Sequence, residues 1–238
     1  MTLKQSWKTF RDLVVAGSTF WKESANNQGI KLSLRGASPR VRFSLLTGYE
    51  VDDARLCRKY LTSQDNVLEL GSAVGFVALY CIKKLGVTNF AMVEANPALL
   101  PIMQENFALN AVTMPTYLNV AAGAKDGEAI FNVSADYYAS SLHTISNTAT
   151  ALTVRQLSLP SIIAEIGFRP NVLIMDIEGA ETQIPIAHLA LFDTIIVEFH
   201  RRFVGDAPID AIISGLETQG FMLLENDGFS SAFAKQKK

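Results

Sequence analysis

The sequence predicts an α/β protein built on a doubly wound, mostly parallel sheet, and three observations carry that prediction. First, the apolar strand-like run Val67-Leu68-Glu69-Leu70 passes through Gly71 and Gly75 straight into a helical pattern at Phe76, Leu79, Tyr80, Lys83 and Lys84. Second, Phe90-Ala91-Met92-Val93 is another apolar strand, ending in Glu94 about 20 residues beyond the glycine turn, the spacing of a βαβ nucleotide unit. Third, 171–175 and 194–197 are continuous apolar runs of the kind buried on both faces, and each stops at a carboxylate, Asp176 or Glu198. Open sheets of this class bind ligands along the edge where such strands end.

With 238 residues, 49% of them hydrophobic, the chain can bury the core of one α/β domain but not of two large ones. We place an extension at 1–48 and the main domain at 49–238. The net charge is -2 with both signs scattered, so no basic footprint for a polyanion exists and nucleic acid is not expected as a partner. Cys57 and Cys81 fall in helical patterns and match no metal spacing; with no basic-apolar-small leader, a reducing, cytoplasmic setting is expected. No apolar run approaches the ~20 residues of a membrane span, so none is expected.

In the extension, Leu3, Trp7, Phe10, Val14, Gly17 and Trp21 form one stripe on a helix. The stripe is expected to pack on its own domain; a homodimer contact or a flap over the substrate pocket are the alternatives. Ser24 to Gly29 is polar and turn-like. Ile30–Arg35 and Arg40–Leu45 alternate around Gly36-Ala37-Ser38-Pro39, a β-hairpin pattern whose polar face carries Arg35, Arg40 and Arg42 as solvated edge charges. A helix from Asp52 to Leu61 then leads into the first core strand.

The glycine turn reads Glu69-x-Gly71-x-x-x-Gly75 rather than the Gly-x-Gly-x-x-Gly that seats a dinucleotide pyrophosphate. Its missing side chains let backbone N–H groups approach a nucleoside without phosphates, while Glu94 suits two ribose hydroxyls and repels a 2′-phosphate. A nicotinamide-dependent oxidoreductase is therefore the weaker enzyme reading. Together with Ile174-Met175-Asp176-Ile177-Glu178-Gly179-Ala180-Glu181, these residues resemble the FkbM-type branch of S-adenosylmethionine-dependent methyltransferases, over roughly Tyr49 to His200.

That resemblance implies a class I, Rossmann-like fold with a seven-stranded sheet, S-adenosylmethionine as cofactor, and methyl transfer to a hydroxyl of a sugar, polyketide-like product or lipid. Carried onto this chain, it gives Glu69, Gly71, Ser72, Gly75, Glu94 and Ala95 as cofactor-binding, and Glu50 and Asp176 near the methionine end. Glu50 also fits a plain helix start. A third strand, Thr116 to Ala122, would bring adenine to Asn119 and Ala121, through side chain or backbone. Family members more often read Asp-x-Gly-Ala-Asn-x-Gly at the turn; Glu69, Ser72 and Ala73 stand there instead, which removes one polar cofactor contact.

Strand-like 129–133 and 151–154 flank a segment rich in hydroxyls and rings, in which Tyr138, Ser141 and His143 are candidate acceptor contacts; a plain surface loop is the alternative. Ser161 to Ile166 reads as a short helix closed by Gly167. For the acceptor proton, His200 is the first candidate base, because imidazole titrates near working pH, with Asp176 or Glu178 to orient it; a strand-end histidine bonding a loop is the rival reading. Glu178-Gly179-Ala180-Glu181 opens a helix that Glu181 would cap, and His188 packs within a helix. Asp176, Glu178, Glu198 and His200 suit magnesium or manganese chemically, yet their spacing demands no ion, so no metal ligand is predicted. A non-catalytic cofactor-binding protein, partnering a methyltransferase through the N-terminal helix, remains the reading from another class.

Overall fold

The computed structural model describes residues 3–133, 150–228 and 230–236, with 3–9 described by backbone alone. The extension holds α1 (Leu3–Ser18), the antiparallel hairpin β1 (Ser24–Asn27) and β2 (Ile30–Ser33), and α2 (Pro39–Thr47). The chain then runs through α3 (Val51–Tyr60), β3 (Asn66–Leu70), α4 (Phe76–Tyr80), β4 (Asn89–Val93), α5 (Leu100–Leu109) and β5 (Thr116–Leu118). It continues through β6 (Ala121–Gly123), β7 (Gly127–Val133), β8 (Thr150–Ser158), α6 (Leu159–Ile166), β9 (Val172–Met175) and α7 (Ile186–Leu189). The chain closes with β10 (Thr194–Glu198), α8 (Arg201–Val204), α9 (Asp206–Thr218), β11 (Phe221–Asn226) and β12 (Ser230–Lys235).

Seven strands form the central sheet in the order β11-β12-β10-β9-β3-β4-β5, with β5, β4, β3, β9 and β10 parallel and β12 antiparallel to both its neighbours. Alternate strand residues face opposite cores. Val67, Ile174 and Ile196 join the core under α3, α4 and α5, whereas Leu68, Leu173 and Ile195 join the one under α6 and α9. Burial on both faces is why these strands carry no polar alternation. Register aligns Leu70 with Val93 and with Met175, and Met175 with Val197, so the residues that follow emerge along one edge. From β3 the chain winds first to β4 and β5, then crosses back to β9 and β10. The gap between β3 and β9 is therefore the topological switch point where this class binds ligands.

Three expectations for the extension and one for the core are corrected. Arg40–Leu45 lies in α2, not in a strand: Ser38 caps that helix by accepting the Val41 N–H at 3.2 Å, Pro39 occupies its first turn, and Val41 and Leu45 share its buried face. The hairpin lies earlier, with Ser24 to Asn27 as a strand and a tight turn at Gln28 and Gly29, where φ is 51° and 80°. Arg42 is not a solvated edge charge. Its guanidinium is buried and donates to the carbonyls of Thr19, Lys22 and Leu34, tying the end of α1 to α2. Of the α1 stripe, Phe10, Val14 and Trp21 face outward, 61%, 51% and 67% exposed, because the buried Asp12 and the neighbouring Val15 and Thr19 mark the face turned inward. The Arg11 guanidinium lies 3.8 Å over the Phe43 ring of α2.

The expected third strand, Thr116 to Ala122, divides at Asn119, whose amide donates to the carbonyls of Glu94 (2.7 Å) and Ala95 (3.2 Å) and bends the chain across the strand ends. β6 then joins β7 and β8 in a separate three-stranded sheet. The strand-like segments 129–133 and 151–154 are strands and pair with one another as β7 with β8. Tyr138, Ser141 and His143 lie outside the described residues. Gly167 closes α6 as expected. Among the described residues, no helix is long and apolar enough to cross a membrane.

Candidate active site

At the switch point lies a cavity of about 740 Å³, walled by the carboxyl ends of β3, β4, β9 and β10, by α2 and the start of α3, and by Val120, Ala121 and Phe131. Of the residues singled out in the sequence, Arg40, Glu50, Gly71, Glu94, Ala95, Ala121, Asp176, Glu178 and Glu198 line it, and His200 does not.

Gly71 marks the closest approach of the two halves. A Cβ at this position would sit 1.7 Å from the Asp176 carbonyl oxygen, and its φ of +85° lies in the left-handed region. Gly75 serves packing instead, since a Cβ there would press on Phe107 at 2.9 Å and Met103 at 3.0 Å of α5. Glu94 braces the turn: Oε2 accepts the Ala73 N–H at 2.9 Å and Oε1 accepts the Asn96 N–H at 2.7 Å. The Ala95 N–H bonds the carboxylate as well, and the remaining acceptor capacity of Glu94 is left for a ligand. Burial pushes its carboxyl above the usual range against those backbone bonds. Ala73 itself has φ 41°, a conformation that asparagine tolerates better than alanine.

Glu69 and Ser72 are buried and are not part of the cavity wall; burial pushes the Glu69 carboxyl up to about 8. Glu50 sits at the start of α3 with φ 51°, pushed up by burial, and Asp53, raised to about 7 mainly by burial, accepts the Ser230 hydroxyl at 2.7 Å.

Asp176, Glu178 and Glu198 line the cavity, and the buried His200 packs against them without lining it. His200, just past β10, is 3% exposed, and its Nδ1 lies 3.0 Å from Glu181 Oε1. Its Nε2 faces Asp176 Oδ1 at 3.5 Å, Glu178 Oε2 at 3.4 Å and Glu198 Oε1 at 3.4 Å. Burial alone would lower the imidazole, but the Glu181 bond and the facing carboxylates raise it to about 9. Asp176 is pushed well up, first by burial and then by Glu198. Phe203 stacks on the ring at 5.8 Å, and Arg202 donates to Glu178 at 3.3 Å.

Glu181 caps the turn it opens, as expected, and also has a role that sequence reasoning missed. It is 0% exposed in a 3-10 turn (Ala180–Gln183), and its Oε1 accepts the N–H groups of Ile177 and Gly179, each at 3.2 Å, besides meeting His200. The expectation that Asp176 or Glu178 orients His200 is not what the geometry gives: Glu181 holds Nδ1, and they face Nε2. No local spacing reveals a partner nineteen residues away. His188 is in α7 as expected, with its buried Nδ1 making no hydrogen bond among the described residues.

A Rossmann-like sheet of this order, with its cavity at the switch point, is the architecture of the class I methyltransferases. A family model of the methyltransferase FkbM domain matches residues 69–222, well over half of the chain, and the protein belongs to that family. Among solved structures, it is similar to an FkbM methyltransferase from Methylobacillus flagellatus KT at 15% identity and TM-score 0.47, covering 73% of this chain and 44% of that one. This chain thus spans less than half the length of that relative. A precorrin-6y C5,15-methyltransferase from Geobacter metallireducens GS-15 matches at 13% identity and TM-score 0.50, covering 80% and 90%. An rRNA methylase from Streptococcus thermophilus matches at 7% identity and TM-score 0.48, covering 78% and 95%. No curated protein matches the chain. The expectation of no nucleic-acid partner rests on the charge pattern alone.

Proposed function

We propose that the chain transfers the methyl group of S-adenosylmethionine to a hydroxyl oxygen of a small molecule, in the sugar, polyketide-like or lipid classes. The observation that carries this reading is one cavity lined both by the Glu94-braced glycine turn and by Asp176, Glu178 and Glu198, the carboxylates that face the buried His200. The free lone pairs of Glu94 take the ribose hydroxyls, Gly71 leaves room for the nucleoside, and Ala95 and Ala121 flank the adenine. Glu50 and Asp176 favour the cationic methionine end. Ser72, Gly75 and Glu69 support the turn from behind, and Asn119 holds the bend above it.

In-line transfer needs the acceptor oxygen aligned with the methyl group and relieved of its proton. As the oxygen–carbon bond forms, the carbon–sulfur bond breaks with its electron pair left on sulfur. The hydroxyl proton is taken up within the set Asp176, Glu178 and His200. Tyr138, Ser141 and His143 remain the candidate acceptor contacts from the sequence. Incubation with methyl-tritiated cofactor and hydroxylated sugars and lipids tests this: label is expected in acid-stable methyl ethers and is lost in His200→Ala. Label found only on amines would overturn the oxygen assignment, and cofactor binding with no transfer to any acceptor class would favour the non-catalytic reading. A homodimer through α1 would cover Phe10, Val14 and Trp21; a Trp21→Glu variant that leaves the sedimentation coefficient unchanged would remove that contact.

A further inference from the structure

We propose that Asp176 Oδ1, Glu198 Oε1 and His200 Nε2 form a binding site for one divalent cation of the manganese class. The binding site stands on geometry alone; its catalytic role rests on the methyl-transfer reading above. The three ligand atoms lie within 4.8 Å of one another, at the ends of adjacent strands β9 and β10.

Two further observations point to an occupant. His200 is 3% exposed, and its Nδ1 is committed to the fully buried Glu181, which two backbone N–H groups fix in turn. Its Nε2 is thereby aimed into the cluster, yet the nearest oxygens stand at 3.4–3.5 Å, beyond hydrogen-bond length. Asp176 Oδ1, a buried atom, accepts no hydrogen bond from a described residue. His200 Nε2 stands 3.5 Å from Asp176 Oδ1 and 3.4 Å from Glu198 Oε1, close to the roughly 3.0–3.4 Å that ion–ligand bonds of about 2.1 Å set between neighbouring ligand atoms. A carboxylate on the far side of a ligating histidine is the usual outer partner of such sites, and Glu181 fills that place. The mixed carboxylate–imidazole set suits manganese better than magnesium, which prefers oxygen alone.

Three protein ligands leave positions open for the acceptor hydroxyl. There the ion would lower the hydroxyl's pKa, and Glu178, held by Arg202 at the rim of the cluster, would receive the proton. His200 then serves as ligand and not as base.

The test is titration of the full chain with manganese chloride, following the six-line electron paramagnetic resonance signal of free ion, for wild type and Glu198→Gln. S-adenosylhomocysteine affinity and thermal midpoint are measured on the same samples as controls of folding. One ion bound per wild-type chain, at least tenfold weaker in Glu198→Gln with unchanged S-adenosylhomocysteine affinity, is expected. No binding by wild type at millimolar manganese, or equal binding by the variant, overturns the site. If wild type binds the ion in this way but not S-adenosylhomocysteine, the methyl-transfer reading fails and the cation site stands.

Discussion

Substituting Gly71 by alanine tests the switch-point geometry most sharply. The added Cβ would lie 1.7 Å from the Asp176 carbonyl oxygen and 2.8 Å from its carbon, both backbone atoms at the end of β9 that no rotamer change can move aside. Gly71 N–H donates to Val93 O at 2.9 Å and Asp176 N–H to Leu70 O at 3.0 Å, so relieving the clash loosens both neighbouring ladders. Gly167→Ala is the control: its φ of +81° is similarly left-handed, but nothing lies within 4 Å of its Cβ. Both variants carry the left-handed cost of about 1–2 kcal/mol. Only Gly71→Ala adds overpacking strain and weakened bonds, about 2–5 kcal/mol more. In a chain of this length that excess lowers the midpoint of thermal unfolding by roughly 4–20 °C beyond the control, readable by circular dichroism. Midpoints within about 2 °C of one another would refute the close approach of β3 and β9.

Other perturbations read different parts of the account. Glu69, raised from 4.5 to about 8 by burial, keeps its proton in the folded chain where the unfolded chain has lost it. Stability from this group is therefore full below pH 4.5 and falls as pH rises through 8. Glu69→Gln should remove that slope and exceed wild type by a few kcal/mol at most at pH 9, measured by urea unfolding; an unchanged slope would contradict the burial argument. Asn106 is fully buried and bridges the extension to the turn, accepting the Ser33 N–H at 2.6 Å and donating to Val74 O at 2.9 Å. Asn106→Ala leaves two backbone groups unsatisfied and should cost about 2–4 kcal/mol by the same unfolding assay; a loss below 1 kcal/mol would show that water replaces them. Arg42→Met should free the end of α1, with faster protease cleavage near Trp21 and a main domain left intact; unchanged cleavage would mean that the guanidinium holds nothing.

The strand ends were legible because burial on both faces forces continuous apolar runs, so that Glu94, Asp176 and Glu198 stand out as charges where those runs stop. The segment 40–45 misled because Arg40-Val41-Arg42-Phe43 alternates while Val41 and Leu45 also repeat at helical spacing; the deciding signal was the Ser38-Pro39 cap. The α1 stripe misled for another reason. Periodicity locates an apolar face but not its direction, and α2 takes the opposite face. The pairing of Glu181 with His200 depends on the β9–β10 register, which no local pattern encodes. Asn119, chosen for adenine, also braces the strand ends through its side-chain N–H groups, a tertiary contact that its polarity alone does not foretell.

The central claim is that this cavity binds S-adenosylmethionine through Glu94. Calorimetric titration with S-adenosylhomocysteine, beside NADH, on wild type and Glu94→Ala measures it directly. The account predicts binding of the homocysteine analogue and not of NADH, weakened roughly ten- to hundredfold in the variant as a charged hydrogen-bond partner worth about 1.5–3 kcal/mol is lost. Absence of binding by wild type, or equal affinity in the variant, would contradict it.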